Sequence, residues 1–217
     1  MTITYPRPLP SLRIAGVVFE PEPQEAFSPE QGGRFVSTQL GPTLWTAKYS
    51  TTPPSEYEFD LWRSWFASLK GAGRLFYGQD VRRRYPRNYR AGFAGLERAG
   101  GGAFDGSVAT WSVNETRDEL TLETLPISFR LSYGDYIGFR WSTYARTLHR
   151  VLEDSNADVS GVGVWTIEPE LPGFVPDGAT VHLAAPDCLM VITKRDISAE
   201  GKDRRVSFEA KQHLQES

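Results

Sequence analysis

The sequence predicts a mainly β protein with one flanking α-helix, in which a sheet domain is interrupted by a second, wholly β domain. Three observations predict it. Only residues 55–69 carry a sustained helical period. Residues 107–186 break into short alternating runs, separated by turn signals such as Gly134-Asp135, Asn156-Ala157-Asp158 and Pro176-Asp177-Gly178. Finally, the texture turns basic, aromatic and glycine-rich after Gly78 and reverts only after Pro186. Residues 1–83 plus 187–217 therefore read as one domain, and 84–186 as an insertion in it.

Residues 1–11 hold three prolines and little to bury, which suits an extended arm or a strand lying along a neighbour. LRIAGVVFE, from Leu12, is the first strand. Residues 20–33, EPEPQEAFSPEQGG, are acidic and rich in turn formers, and are expected to make a loop or an exposed hairpin tip. RFVSTQL and TLWTAKYST follow as strands, with Trp45, Ala47 and Tyr49 on one face. Pro53 and Pro54 end the extended run, and Ser55 and Glu58 stand at capping-box spacing. Leu61, Trp62, Trp65, Phe66 and Leu69 then form an apolar stripe opposite Asp60, Arg63, Ser64 and Ser68. Lys70 sets a cation at the negative helix end, and Gly71 is the expected left-handed residue. RLFYG, from Arg74, is a short strand.

Beyond it, QDVRRRYPRNYR is basic and aromatic, and AGFAGLERAGGGAFDGS is too rich in glycine to start a packed element. The strands VATWSV, ELTLETL, SFRLSYG, DYIGFRW, TLHRVL, VGVWTIEP and ATVHLAAP then follow at the spacing of a small barrel or sandwich. CLMVITK and RRVSFEAKQ close the chain as strands, with Val206, Phe208 and Ala210 sharing a face.

At 217 residues, with 40% hydrophobic and 12% aromatic side chains, the chain can bury a substantial core. A formal net charge of -3 gives no electrostatic case for whole-protein binding to nucleic acid or to an anionic membrane. No run of about 18 apolar residues suggests a membrane span, and the N-terminus lacks a leader pattern, which predicts a soluble protein made in a cytoplasm. The single cysteine, Cys188, sits in the apolar run CLMVI and reads as a buried small hydrophobe.

The candidate chemistry is sparse. EDSNADVSG places Asp154, Asn156 and Asp158 at alternate positions, as a calcium loop does, but Val159 replaces the required glycine and Trp165 the closing glutamate. A hairpin turn is the expectation there. His149, His182 and His213 have no ligand spacing, so no metal site, cofactor site or catalytic centre is predicted. Arg82, Arg83, Arg84, Arg87 and Arg90 interleave with Tyr85 and Tyr89, a composition that can track phosphates and stack bases. With an acidic remainder and no nucleic-acid module, a basic loop facing solvent, a subunit or a lumen is the favoured reading. Carboxylates of the 20–30 segment could pair with it across an interface. Most tryptophans read as core, and Trp111 has the least apolar surroundings, which makes it the candidate exposed aromatic for stacking on a sugar.

Two stretches carry a resemblance. LWRSWFASLKGAGRLFYGQDVRRRYP resembles the helix–turn–strand of tail proteins from long-tailed bacteriophages. The array LSYGDYIGF, LHRVLEDSNADVSGVGVWTIEPELP and DGATVHLAAPDCLMVI is similar to a series in tail-tip proteins of phages and prophages of proteobacteria. Together they span most of residues 57–193, while RRRYPRNYR has no counterpart in the pattern.

The resemblance implies a distal tail protein, a siphovirus virion component. Its belt domain would be a split β-barrel related to tail-tube subunits, with helix 55–69 on its flank and an inserted OB-like or galectin-like domain. Six copies would form a homohexameric ring joining the tail tube protein to the baseplate hub protein, with a lumen for the tape measure protein and DNA. Such a ring is structural, assembled in the host cytoplasm, and needs neither enzyme activity, cofactor nor sequence-specific nucleic acid. The alternatives are a carbohydrate-binding module for host polysaccharide, a tail-tube or tail-terminator subunit, and an enzyme with a cleft holding converging carboxylates or a perturbed histidine.

Overall fold

A computed structural model describes residues 3–10, 12–29, 35–200 and 203–214. In chain order the first elements are β1 (Arg7–Pro8), β2 (Ile14–Pro29), β3 (Phe35–Thr51), α1 (Glu56–Leu69) and β4 (Phe76–Gly78). The middle of the chain supplies β5 (Ser107–Val108), β6 (Trp111–Val113), β7 (Glu119–Leu122), β8 (Arg130–Leu131), β9 (Tyr136–Arg140), β10 (Arg146–Val151), β11 (Ser155–Asn156), β12 (Gly163–Glu168) and β13 (Thr180–His182). β14 (Cys188–Glu200) and β15 (Asp203–Gln212) complete it. The fold is mainly β, with one α-helix and a sheet curled into half a barrel.

A six-stranded sheet, in the order β1-β4-β14-β15-β3-β2, takes its strands from both ends of the chain. Only β1 and β4 pair in parallel. Its inner face is aromatic because Trp45, Ala47 and Tyr49 alternate with Val206, Phe208 and Ala210, all buried. α1 lies across that face. Phe208 is the centre of the contact: the rings of Tyr49, Trp62, Trp65, Phe66 and Phe76 all lie within 6.2 Å of it.

The capping box at Ser55 and Glu58 is present in full. Two details of the helix differ from expectation. The stripe is centred on Trp62, so Phe59 is buried and Leu61, about 100° round the helix, sits at the rim and is exposed. The left-handed turn starts one residue early, at Lys70 with φ 52°, and continues through the expected Gly71 at φ 69°, while the Lys70 amide still bonds to the Ala67 carbonyl.

Residues 20–29 are strand, which corrects the loop and leaves the exposed hairpin of that expectation: β2 pairs with β3 from Ile14↔Thr51 to Pro29↔Phe35, with register shifts between Ile14 and Gly16, Glu22 and Gln24, and Gln24 and Glu25. Residues 30–33 of that expectation lie outside the described residues. The strand tolerates Pro21 and Pro23 because β2 is an edge strand, with its outer side unpaired. The N-terminal segment is likewise more buried than expected. Leu9 joins the core, the Pro8 carbonyl accepts a 3.1 Å bond from Trp65 Nε1, and β1 lies along this chain's own β4.

A seven-stranded sheet, β5-β13-β9-β10-β12-β7-β6, holds the second core. The run VATWSV splits into β5 and β6, which occupy opposite edges. Those edges curl together: Trp111 Nε1 on β6 donates a 2.7 Å bond to the Ala179 carbonyl beside β13. The glycine-rich stretch is not free of packing either, since Phe93 and Phe104 are buried in this core, and Gly92, Gly95, Gly101, Gly102 and Gly106 adopt positive φ around them.

The two sheets meet at a junction of aromatic and arginine side chains. Tyr136 and Leu148, from β9 and β10, belong to the core of the six-stranded sheet. Arg150 crosses to Glu20 at 2.5 Å and to the Phe19 carbonyl at 2.7 Å, with its guanidinium 5.2 Å from the Trp45 ring. Asp187 accepts from both Arg140, at 3.1 Å, and Arg146, at 2.8 Å.

Candidate functional site

The basic segment folds tightly after β4. Asp80 starts it, accepting the Arg82 amide at 2.9 Å on its carboxylate and the Arg83 amide at 3.0 Å on its carbonyl. Pro86 then begins a single 3₁₀ turn over Arg87–Tyr89. This path turns the tyrosines inward. Tyr85 packs edge-on against Phe93, and Tyr89 stacks on Phe129 with centroids 4.5 Å apart. With the rings spent on the core, the five arginines are left outside.

The structure brings Arg82, Arg83, Arg84, Arg87 and Arg90 together around one concavity of about 300 Å³, with Tyr85 and Asp135 completing the wall. Two of them are tied down: Arg82 donates to the Ala15 carbonyl and Arg83 to the Gly134 carbonyl. Arg87 rests 4.8 Å from the Tyr133 ring and donates to its hydroxyl at 3.3 Å. Among the described residues, none of the five guanidiniums reaches a carboxylate within 4.0 Å. By contrast, Arg98, Arg130, Arg140, Arg146 and Arg150 are all ion-paired. The concavity is thus a surplus of positive charge on an acidic chain.

Asp135 offsets it only in part, one carboxylate against five guanidiniums. Its carboxylate accepts the backbone amides of Arg87 and Ser132, each at 2.9 Å, and is thereby committed to holding the loop. Burial pushes its carboxyl pKa up, against the lowering effect of those amides and of Arg83 and Arg87. Sequence reading missed Asp135 as part of this wall; it saw only a Gly-Asp turn, 48 residues away from Arg87.

The other sequence candidates are placed apart from this site. Trp111 is half-buried, its ring 4.9 Å from Phe139 in addition to its bond to Ala179. In the 153–161 turn, Asp154 is held by Arg130 and the Tyr133 amide, and Asp158 accepts the amides of Ser160 and Val162. Among the described residues no three His, Cys, Asp or Glu side chains converge as metal ligands, and no helix is long and apolar enough to cross a membrane.

His149 lines a second cavity, of about 330 Å³, at the junction of the sheets with Thr43, Arg117, Glu168 and Phe174. Its histidine and arginine are already engaged. His149 bonds through Nδ1 to the Pro169 carbonyl at 2.6 Å and through Nε2 to Thr147 Oγ1 at 2.9 Å. Arg117 donates to the Leu171 and Pro172 carbonyls. Burial pushes the His149 pKa down to about 4, and the Arg117 charge adds to that, so at neutral pH the ring is uncharged. Cys188 is fully buried, and its thiol pKa is raised first by burial and then by Asp187, so it is no ready nucleophile.

A scan against protein-family models and a search of curated proteins found no match to this chain.

Proposed function

We propose that the chain is a structural subunit of a bacteriophage tail tip, a distal tail protein that assembles into a hexameric ring between the tail tube and the baseplate hub. The ring would leave a channel for the tape measure protein and DNA, and the chain would be assembled into the virion in the host cytoplasm. The finer fold reading, a split tail-tube-like barrel with an OB-like or galectin-like insertion, belongs to the same proposal. Its phage identity is supported by the sequence resemblance over residues 57–193.

The observation that carries the ring is the β2–β3 ribbon. Its strands stay paired out to Pro29↔Phe35, yet Glu22, Pro23, Glu25, Ala26 and Ser28 on one strand and Val36 to Leu40 on the other are exposed. A two-stranded ribbon so exposed is marginal in water. Among the described residues no strand pairs with the outer edge of β2, and such an edge invites pairing with another chain. A neighbouring copy that covers the ribbon and pairs with this edge resolves both. The polar composition of the ribbon suits an arm that is solvated before assembly and contacted after it.

The test is the mass and shape of the purified protein across concentration, by light scattering and electron microscopy. Six-fold rings with a central channel are the expected result. A monomer at every concentration, with no ring at the tip of intact tails, overturns the reading.

A further inference from the structure

We propose that the five-arginine concavity is the docking site for the acidic β2 ribbon of a second copy of this chain, with Glu22 and Glu25 entering beside Arg84, Arg87 and Arg90. This names the contact that would build the proposed ring and therefore rests on that reading.

Four observations lead to it. The concavity sets five guanidiniums against the single carboxylate of Asp135, while Glu22 and Glu25 are exposed and make no ion pair among the described residues. Glu25 has only a hydroxyl partner, Ser37. The lining of the concavity holds no residue of β2, and β2 leads away from it: Arg82 grips Ala15 near the start of the strand, Glu20 still lies near Arg83, and Glu22 and Glu25 follow further along toward the exposed end of the ribbon. The glutamates of the same chain are carried away from the arginines, and those of a neighbour are free to reach them. Guanidiniums also suit carboxylates, binding them through paired N–H donors.

A nucleic-acid occupant fits less well, because Tyr85 and Tyr89, the rings that would stack bases, are half-buried and already packed against Phe93 and Phe129. Two complementary patches at separate places on one chain form a head-to-tail contact, the kind that closes into a ring when the rotation per subunit allows it.

The experiment is a charge swap followed by sedimentation velocity. Arg82 and Arg83 are left alone because they hold backbone carbonyls. The variant R84E/R87E/R90E and the variant E22R/E25R should each weaken self-association at least about tenfold. Mixed in equal amounts they should recover it, since every patch then meets an arm of opposite sign, and so should the chain carrying all five substitutions. Thermal melts confirm folding, and if the glutamate variant does not fold, R84Q/R87Q/R90Q should show the same direction of change. Variants that assemble like the unmodified chain, or a mixture that fails to recover, overturn the docking while leaving the ring reading intact. Failure of the unmodified chain to assemble strikes the ring reading itself. Assembly unchanged, with loss of oligo-dT binding in the arginine variant, would assign the surface to nucleic acid instead.

Discussion

Trp45 Nε1 donates a 2.6 Å hydrogen bond to the carbonyl of Leu148, 103 residues further along, and so bonds β3 of one sheet to β10 of the other. The indole is fully buried, lies against Phe19 and Tyr136, and is covered by the Arg150 guanidinium. Trp45→Phe keeps most of the ring but leaves a buried carbonyl without its donor, which should cost about 1–3 kcal/mol. Trp45→Ala should cost about 3–5 kcal/mol, because the cavity and the lost transfer energy add. Urea unfolding of both variants checks the order; equal costs would show that the packing of the ring adds nothing beyond the hydrogen bond.

Two tryptophans one turn apart on α1 should respond differently to the same change. Trp65 Nε1 bonds to the Pro8 carbonyl at 3.1 Å, whereas the buried Trp62 Nε1 has no partner among the described residues. Trp65→Phe therefore breaks a bond that fastens the N-terminal segment, while Trp62→Phe removes a donor that was already unsatisfied. Trp62→Phe should be the milder substitution by about 1 kcal/mol, and thermal denaturation of the pair measures it. Truncation is another matter: Trp62→Ala or Phe66→Ala should cost about 3–5 kcal/mol through the cavity left against Phe208.

Asp187 is shared by two arginines, and both have a buried Nε without a partner. Arg140 is itself pushed toward lower pKa by burial, with Asp187 opposing. Removing the carboxylate leaves two cations facing each other at the junction of the sheets. Asp187→Ala should therefore cost about 3–5 kcal/mol, more than an exposed pair could. Asp187→Ala combined with Arg146→Met should recover part of that in the same unfolding assay, because one of the stranded charges is gone; no recovery would mean the charges are solvated.

The helix and the inner strand faces were legible because local and tertiary signals agree there. Ser55 and Glu58 announce the start of α1, and Trp45, Ala47 and Tyr49 alternate as a half-buried strand must. The course of β2 was not legible. EPEPQEAFSP carries turn residues throughout, and pairing with β3, which no local window contains, overrides them. Leu61 falls at the rim and Phe59 inside because the stripe is phased by the aromatic pocket around Phe208, which only the assembled sheet provides. At the basic site the sequence showed five arginines but not their arrangement. Which way the tyrosines turn decides it, and that depends on Phe93 and Phe129, from distant parts of the chain.

His149 makes stability depend on pH in a defined direction. Its folded-state pKa is depressed to about 4, against about 6.5 in an unfolded chain. Above that unfolded value both states are neutral and the group contributes nothing to the slope. Between about 6.5 and 4 the unfolded chain binds a proton that the folded chain refuses, so stability falls as pH drops through this window, by up to about 3 kcal/mol. His182, also lowered, acts in the same direction. Asp135 and Glu168, whose carboxyl pKa values burial raises, bind protons more readily when folded and oppose the loss nearer the carboxylate range. Melting at pH 7 and pH 5 separates these, since it samples the histidines ahead of most carboxylates. His149→Gln should lower the melting temperature at pH 7, through the disturbed bonds to Pro169 and Thr147, and should flatten the decline between pH 7 and pH 5. An unchanged decline in that variant would show that the histidine is already solvated when the chain is folded.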